Sequence, residues 1–326
     1  MHDRDLRPSR VPLASHRIQQ QRRAAGRRLI NKVIDGETIT RVGNGLLAIH
    51  RAGYTLEDVK YGNIIIEATT SAPYFVDCEL ALPLRQFPRS AATYLRDRDS
   101  EKLNRLFGTN LLTAKRLRQI RLGTGAHVYS PFYAGAGIWW GAIWNPDLGA
   151  LRWRHMLAKH MPIPYGGRIL DLGANNGFNA VQMLRAGAKD VAGVEIDPAA
   201  IEQGLFVKRV FEWADNTEYR FWYIQGSHGD ISAMTLGRFD LVTALCTLYY
   251  LSAAAMAKTV SELAKLTDTL VVQCNNDRSI GRSDDETYRK ASLPFNVELL
   301  RNNGFSNITV IERRGSNRPL VIARTK

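Results

Sequence analysis

Cysteine is scarce in this chain, with Cys78, Cys246 and Cys274 the only three among 326 residues. They lie far apart and no two stand at metal-ligand spacing, which argues against a disulfide framework and against a zinc site. Cys246 and Cys274 close apolar runs and read as small buried core residues. Long apolar runs are missing as well. None approaches the roughly 18 residues that a bilayer-spanning helix needs, and Met1 is followed by His, Asp and Arg instead of a signal-peptide core, so no transmembrane segment and a cytoplasmic location are expected. Acidic residues are outnumbered, 31 against 44 Lys and Arg, for a net charge of +13. The imbalance is local: residues 1–165 hold 25 Lys and Arg against 13 Asp and Glu, and residues 166–326 hold 19 against 18. A basic N-terminal half attracts an anionic partner such as RNA, a phosphorylated glycan or an acidic membrane surface, and is equally compatible with a plain solvated surface.

What is present is enough chain for about two domains. From Arg168 onward, short β-rich runs alternate with helical stretches, the pattern of parallel strands joined by helical crossovers. Strands are expected at 168–172, 190–196, 219–224, 239–245, 269–274, 308–312 and 320–323, and helices at 178–186, 199–213, 253–266 and 295–303. The last two strands are joined by a turn too short for a crossover helix, so they pair antiparallel. The expected C-terminal fold is therefore α/β, a Rossmann-like seven-stranded sheet with an antiparallel last strand.

Within that frame, the segment 169–177, Ile-Leu-Asp-Leu-Gly-Ala-Asn-Asn-Gly, runs from a buried strand into a helix. Gly173 and Gly177 permit tight turning and close backbone approach, and the positive end of the following helix attracts an anionic group. Glu195 closes the second strand about twenty residues on, where an acidic side chain grips ribose hydroxyls. Asp197 reads as the next helix's N-cap. Asn175 stands where a dinucleotide-binding loop has its second glycine, so a dehydrogenase fits less well. Strand, loop, acidic strand end and the later run 239–246, Phe-Asp-Leu-Val-Thr-Ala-Leu-Cys, together resemble the class I S-adenosylmethionine-dependent methyltransferases. That resemblance implies S-adenosyl-L-methionine as cofactor, with Asp171, Gly173, Asn175 and Gly177 around its methionine part, Glu195 on the ribose, and an adenine contact in 226–230, assigned to Ser227. Residues 151–157, 248–250 and 294–305 are further similar to the tRNA wobble-uridine carboxymethyltransferase-like group.

Methyl transfer needs in-line placement and, for oxygen or nitrogen acceptors, loss of a proton. Tyr249 and Tyr250, after the fourth strand, are pocket candidates; one packing in the core with the other exposed is the competing reading. Asn275, with Asn276, either orients substrate or forms a plain turn. His228 reads as a surface loop residue and not as the base, which stays unassigned.

The N-terminal half divides into a basic polar segment over 1–29, a region over 30–125, and an aromatic and Gly-rich linker or lid over 126–150 ahead of the methyltransferase-like domain at 151–326. Residues 46–66 followed by 74–79 resemble the catalytic lobe of protein kinases. By that motif Asp58 would be the base, Lys60 would steady phosphate, and Asn63 and Asp77 would bind magnesium. No Gly-rich phosphate loop precedes them and Asp77 is followed by Cys78-Glu79, so a truncated lobe with a structural role is favoured over an active one. Amphipathic helices at 96–107 and 111–120 complete a mainly α region. Tyr133, Trp139, Trp140 and Trp144 in the linker either stack on an acceptor or pack between domains. The functional expectation is methyl transfer to an oxygen or nitrogen of a polar acceptor. A kinase-like phosphotransferase using ATP and magnesium, and a non-catalytic RNA- or partner-binding protein, are the alternatives.

Overall fold

A computed structural model describes residues 34–119, 132–135, 138–140, 152–276, 285–313 and 316–325, with only the backbone of 132–135 and 138–140. The basic segment 1–29 and Trp144 lie outside the described residues. The chain forms two compact units, 1–119 and 120–326. Among the described residues no helix is long and apolar enough to cross a membrane, and no group of three or more His, Cys, Asp or Glu is placed to hold a metal ion.

The N-terminal unit begins with helix α1 (Gly36–Arg51), started by Asp35, whose carboxylate accepts from Thr38 N–H at 2.7 Å. The apolar stripe of α1, Val42 and Leu46, packs with Leu103 and Phe107 of helix α2 (Arg89–Phe107) and with Leu56, Ile64 and Leu111. Short strands fill the space between them: β1 (Tyr54–Thr55) pairs antiparallel with β4 (Leu82–Pro83), and β2 (Ile64–Ile66) with β3 (Pro73–Phe75). Helix α3 (Ala114–Gln119) follows. Asp99, fully buried on α2, ties the unit together. Its carboxylate accepts from Thr55 Oγ1 at 2.6 Å, Leu56 N–H at 2.7 Å and Glu57 N–H at 3.1 Å, and meets His50 Nε2 at 3.3 Å. Such a buried carboxylate is tolerated because donors surround it.

In the C-terminal unit, the backbone hairpin of β5 (Phe132–Gly135) and β6 (Ile138–Trp140) precedes a π-helical turn, Trp153–Leu157, continuing through Ala158–His160. Seven strands then form one sheet: β7 (Arg168–Leu172), β8 (Asp190–Glu195), β9 (Phe221–Gln225), β10 (Leu241–Leu245), β11 (Thr269–Gln273), β12 (Asn307–Ile311) and β13 (Leu320–Arg324), in the order β12-β13-β11-β10-β7-β8-β9. Strands β7 to β11 are parallel and β13 runs antiparallel to both neighbours. Helices α4 (Phe178–Arg185), α5 (Pro198–Asp215), α6 (Ala253–Leu266), α7 (Asp285–Ala291) and α8 (Leu293–Asn302) connect them. The inner strands are apolar on both faces, with every residue of β10 buried, as a parallel sheet covered by helices requires. Every strand and helix expected from the alternation is present within two residues at each end. Helix α7 was not expected: Asp-Glu-Thr-Tyr-Arg-Lys-Ala carries no apolar period.

Candidate functional site

The first crossover turns sharply at the end of β7. Gly173 sits at φ +63°, and a Cβ there would stand 2.8 Å from Cβ of Thr247. Gly177, at φ +66°, heads α4; a Cβ on it would reach within 2.5 Å of the Phe221 ring and 2.7 Å of Tyr223 Oη. Both positions therefore demand glycine for conformation and for room. Between them Asn175 adopts φ +47°, a left-handed geometry that asparagine tolerates better than most residues.

Asn175 is pinned from both sides. Its N–H donates to Glu195 Oε2 at 2.8 Å, and its carbonyl accepts from Tyr223 Oη at 2.7 Å. Glu195, buried at the end of β8, also accepts Ile196 N–H at 2.8 Å and Asp197 N–H at 3.0 Å on Oε1. Oε1 is thus filled by two donors while Oε2 keeps a lone pair free for a further one. The Asp197 cap is as expected, with its carboxylate accepting Ala199 N–H at 2.9 Å. Tyr223→Phe is expected to lower the unfolding free energy by about 1 kcal/mol, because the Asn175 carbonyl loses its partner; chemical denaturation reads this, and an unchanged midpoint would refute it.

Asp171, on β7, is buried and accepts from Thr243 Oγ1 of the adjacent strand β10 at 2.6 Å. Burial pushes its carboxyl up to about 7, against the opposing pull of the Thr243 hydrogen bond and the nearby Arg152 charge, with Glu195 adding to the rise. Asp171 lines an open cleft with Arg152, Gly173, Ala174, Asn175, Asn176, Phe178, Asn179 and Leu245. Among the described residues, Nδ2 of Asn176, on the cleft wall, and Nε2 of His228 are buried without a hydrogen-bond partner. Buried polar groups are rarely left unsatisfied, so each marks a place where a ligand group or water is needed.

The structure brings Asp171, Gly173 and Asn175 together on the cleft, with Gly177 at its helix start and Glu195 beneath the loop. Ser227 opens the short turn His228–Ala233 after β9, its Oγ accepting Gly229 N–H at 3.1 Å. His228 is not the solvent-facing residue its loop position implies. Burial lowers its pKa despite the pull of Glu195 and a hydrogen bond to the Thr247 carbonyl. Tyr249 is buried beside Cys246 and Ala291 and shares a side-chain hydrogen bond with Asn275, whereas Tyr250 is 74% exposed. Neither tyrosine lines the cleft, and their rings pack at 4.7 Å between centroids. Both Cys246 and Cys274 are buried, as expected, and burial pushes the Cys274 thiol up.

In the N-terminal unit, Asp58 is half-buried and contacts both Lys60 Nζ at 2.5 Å and Asn63 Nδ2 at 3.1 Å, while Asp77 is exposed at φ +61°. The hydrogen bond from Lys60 holds the Asp58 carboxyl below the usual range, and the same pair raises Lys60.

Sequence reasoning missed Arg152, Thr243, Tyr223 and Gln273. Arg152 Nε donates to Gln273 Oε1 at 2.7 Å, and its Nη2 lies 3.8 Å from Cys246 Sγ. Thr243, Tyr223 and Gln273 sit on separate strands of the sheet, so only the strand order could have revealed them.

A family model described as a methyltransferase domain matches residues 169–269. A tRNA U34 carboxymethyltransferase from Methylococcus capsulatus is 39% identical over 72 residues, which is 22% of this chain and 21% of that protein. A magnesium-protoporphyrin O-methyltransferase from Rhodobacter capsulatus is 32% identical over 107 residues, 33% of this chain and 44% of that one. Among solved structures, magnesium protoporphyrin IX methyltransferase from Synechocystis with bound S-adenosylmethionine superimposes with a TM-score of 0.38 at 18% identity, covering 53% of this chain and 76% of that one. The chain spans less than half the length of the curated relatives it matches. The matched segment, which is similar to methyltransferase domains, lies in the C-terminal unit and holds the strand, the glycine loop, the acidic strand end and the fourth strand described above.

Proposed function

We propose that this protein transfers the methyl group of S-adenosylmethionine to an oxygen or nitrogen of a polar acceptor, an anionic one such as RNA or a phosphorylated glycan being favoured by the basic N-terminal half. The observation that carries the reading is the pair of buried carboxylates, Asp171 and Glu195, at the ends of adjacent parallel strands on either side of a glycine-framed loop. The residues fit the cofactor. Asp171 offers a carboxylate to an ammonium group, Glu195 Oε2 retains one lone pair for a ribose hydroxyl, and the orphaned Asn176 amide supplies a donor on the cleft wall. Ser227 and His228 take the adenine end, where His228 Nε2, buried and without a partner among the described residues, supplies a hydrogen-bonding site.

When bound, the cofactor supplies an electrophilic methyl on its sulfonium. The chain's part is to hold the reactants in line and to keep water out, which accounts for a large share of rate without a dedicated base. Tyr249 and Asn275, joined by their side chains at the end of β10 and β11, set the acceptor side; Tyr250 stands exposed beside them as the first contact for an incoming acceptor. The two curated relatives act, by name, on tRNA and on magnesium-protoporphyrin, so RNA and small-molecule acceptors both belong in the assay.

Calorimetry should show S-adenosylmethionine binding that Glu195→Gln weakens about tenfold, since a charged acceptor is replaced by a neutral one. Tritiated methyl should pass into one of RNA, glycan or small-molecule fractions. No cofactor binding by the wild-type chain would remove the reading.

For residues 30–125 we infer a structural lobe derived from a phosphotransferase-like ancestor. The favouring observation is the buried Asp99, which holds the backbone at Leu56 and Glu57 and so fixes Asp58 beside Asn63. Asp58 is already engaged by Lys60 and Asn63, as a retained architecture without activity would have it. Titration with ATP and magnesium should give no heat; measurable binding would favour an active lobe instead.

A further inference from the structure

The stretch from Arg85 to Gln119 holds nine Lys and Arg against three acids. All three acids are engaged within the N-terminal unit. Asp99 is buried among its donors, Asp97 Oδ2 accepts Ala114 N–H at 2.8 Å, and Glu101 Oε1 accepts the Thr113 hydroxyl at 2.6 Å. Arg85, Arg105 and Lys115 are exposed, so the charge this stretch turns to solvent is positive.

Helix α2 gathers part of that charge on one face. At about 100° per residue, Tyr94, Arg98 and Arg105 fall within about 40° of one another, opposite the buried Leu103. Tyr94 is 64% exposed, and the Arg98 guanidinium, held by an ion pair with Glu57, lies 6.0 Å from its ring centroid. At the far end of α2 stands Tyr61, 43% exposed, its hydroxyl donating to the Leu106 carbonyl and its ring 5.0 Å from Phe107. Two aromatic rings therefore bracket a row of cations roughly 18 Å long. The bonds from Ala114 and Thr113 seat the start of α3 against the middle of α2, which brings Lys115 beside the row.

Cations alone suit any polyanion. Exposed rings add a π face, which only a polyanion with flat groups between its charges uses fully, and an unpaired nucleic acid strand is such a polymer. In a duplex the bases stack on one another and are withdrawn from such a face. We propose that this face of α2 and α3 binds a single-stranded stretch of RNA, with phosphates on Arg105 and Lys115 and unpaired bases stacked on Tyr94 and Tyr61. Its purpose, presenting RNA as the methyl acceptor, rests on the function proposed above; the binding itself does not.

Fluorescence anisotropy with the full chain tests this, using a labelled RNA of about fifteen nucleotides, single-stranded or annealed to its complement. Wild type should hold the single strand about fivefold more tightly than the duplex. Tyr94→Ala should weaken the single strand about tenfold, leave the duplex within about twofold and keep the salt dependence, whereas Tyr94→Phe should bind as wild type does. Arg105→Gln combined with Lys115→Gln should lower the slope of log affinity against log salt by about 1.4, at roughly 0.7 per phosphate contact in a single strand. All these side chains face solvent, and an unchanged melting midpoint checks that each variant is intact. Undiminished single-strand binding by Tyr94→Ala, equal affinity for strand and duplex, or no RNA binding by wild type at low salt would each overturn the proposal. Heparin offers charge and sugar without bases, so a Tyr94→Ala loss as large for heparin as for RNA would assign the face to a glycan and overturn it too. A wild-type chain that binds RNA but not S-adenosylmethionine would sink the methyl-transfer reading alone, and the reverse would sink this one alone.

Discussion

Asp171→Asn is expected to make the folded protein more stable at neutral pH while stripping it of cofactor affinity. Burial raises the Asp171 carboxyl from 3.8 to about 7. Between those values the folded state holds a proton that the unfolded chain has released, so stability declines as pH rises from about 4 to 7 and the full penalty stands above 7. At about 1.4 kcal/mol per pH unit the ceiling is roughly 4 kcal/mol, and relaxation around the charge brings the expected gain for Asn to roughly 2–4 kcal/mol at pH 8. The Thr243 hydroxyl keeps its acceptor in this variant, because the amide oxygen occupies the same place. Denaturation midpoints of both proteins at pH 4, 6 and 8 decide the matter: the gap should widen with pH, and a constant gap would show that Asp171 does not titrate there. Cofactor binding runs the other way. An ammonium prefers the ionised carboxylate, so wild-type affinity should climb up to tenfold per unit between about pH 5.5 and 7 and then level off. The Asn variant should bind roughly thirtyfold more weakly at pH 8 and show no such climb.

The second large effect is expected at Gly204, in the middle of α5. A Cβ there would come within 2.5 Å of Tyr223 Cζ and closer still to its hydroxyl. Tyr223 has no room to step aside. Its hydroxyl is bonded to the Asn175 carbonyl, its ring packs on Phe221 with centroids 4.7 Å apart, and Gly177 closes the far side. Gly204→Ala must therefore lift the helix or expel the ring, at roughly 2–3 kcal/mol of stability. Because the displaced ring abandons Asn175, cofactor affinity should fall about tenfold as well. Adding Tyr223→Val relieves the overlap and should restore part of the stability without the affinity. An unchanged midpoint for Gly204→Ala alone would show that the ring yields freely.

What the sequence disclosed and what it hid follow from the same geometry. Each strand of the C-terminal unit is a compact apolar run bounded by polar turn residues, so the alternation from 168 to 274 announces itself locally. Gly173, Gly177 and Glu195 were legible for the same reason, as their spacing along the chain carries their roles. Thr243, Tyr223 and Arg152 were not. They meet the loop only because β10 lies beside β7, β9 beside β8, and Arg152 at the head of the π-helical segment lines the same cleft, and none of those adjacencies is written in spacing. The competing reading of the tyrosine pair, one packed and one exposed, matches Tyr249 and Tyr250 as they stand. Helix α7 escaped because its side chains are mostly polar and its burial comes through Lys290 and Ala291 at its end, with Lys290 Nζ bonded to the Leu251 carbonyl at 2.7 Å.

Strand β13 is the last of the seven to be synthesised, yet it is an interior strand, flanked by β11 and β12. Until it emerges from the ribosome, β11 presents an unpaired edge and β12 has no neighbour at all. The nascent domain is thus held in an unfinished, association-prone state from the completion of β11 until β13 follows, and chaperone demand during synthesis should track the delay between residues 273 and 320.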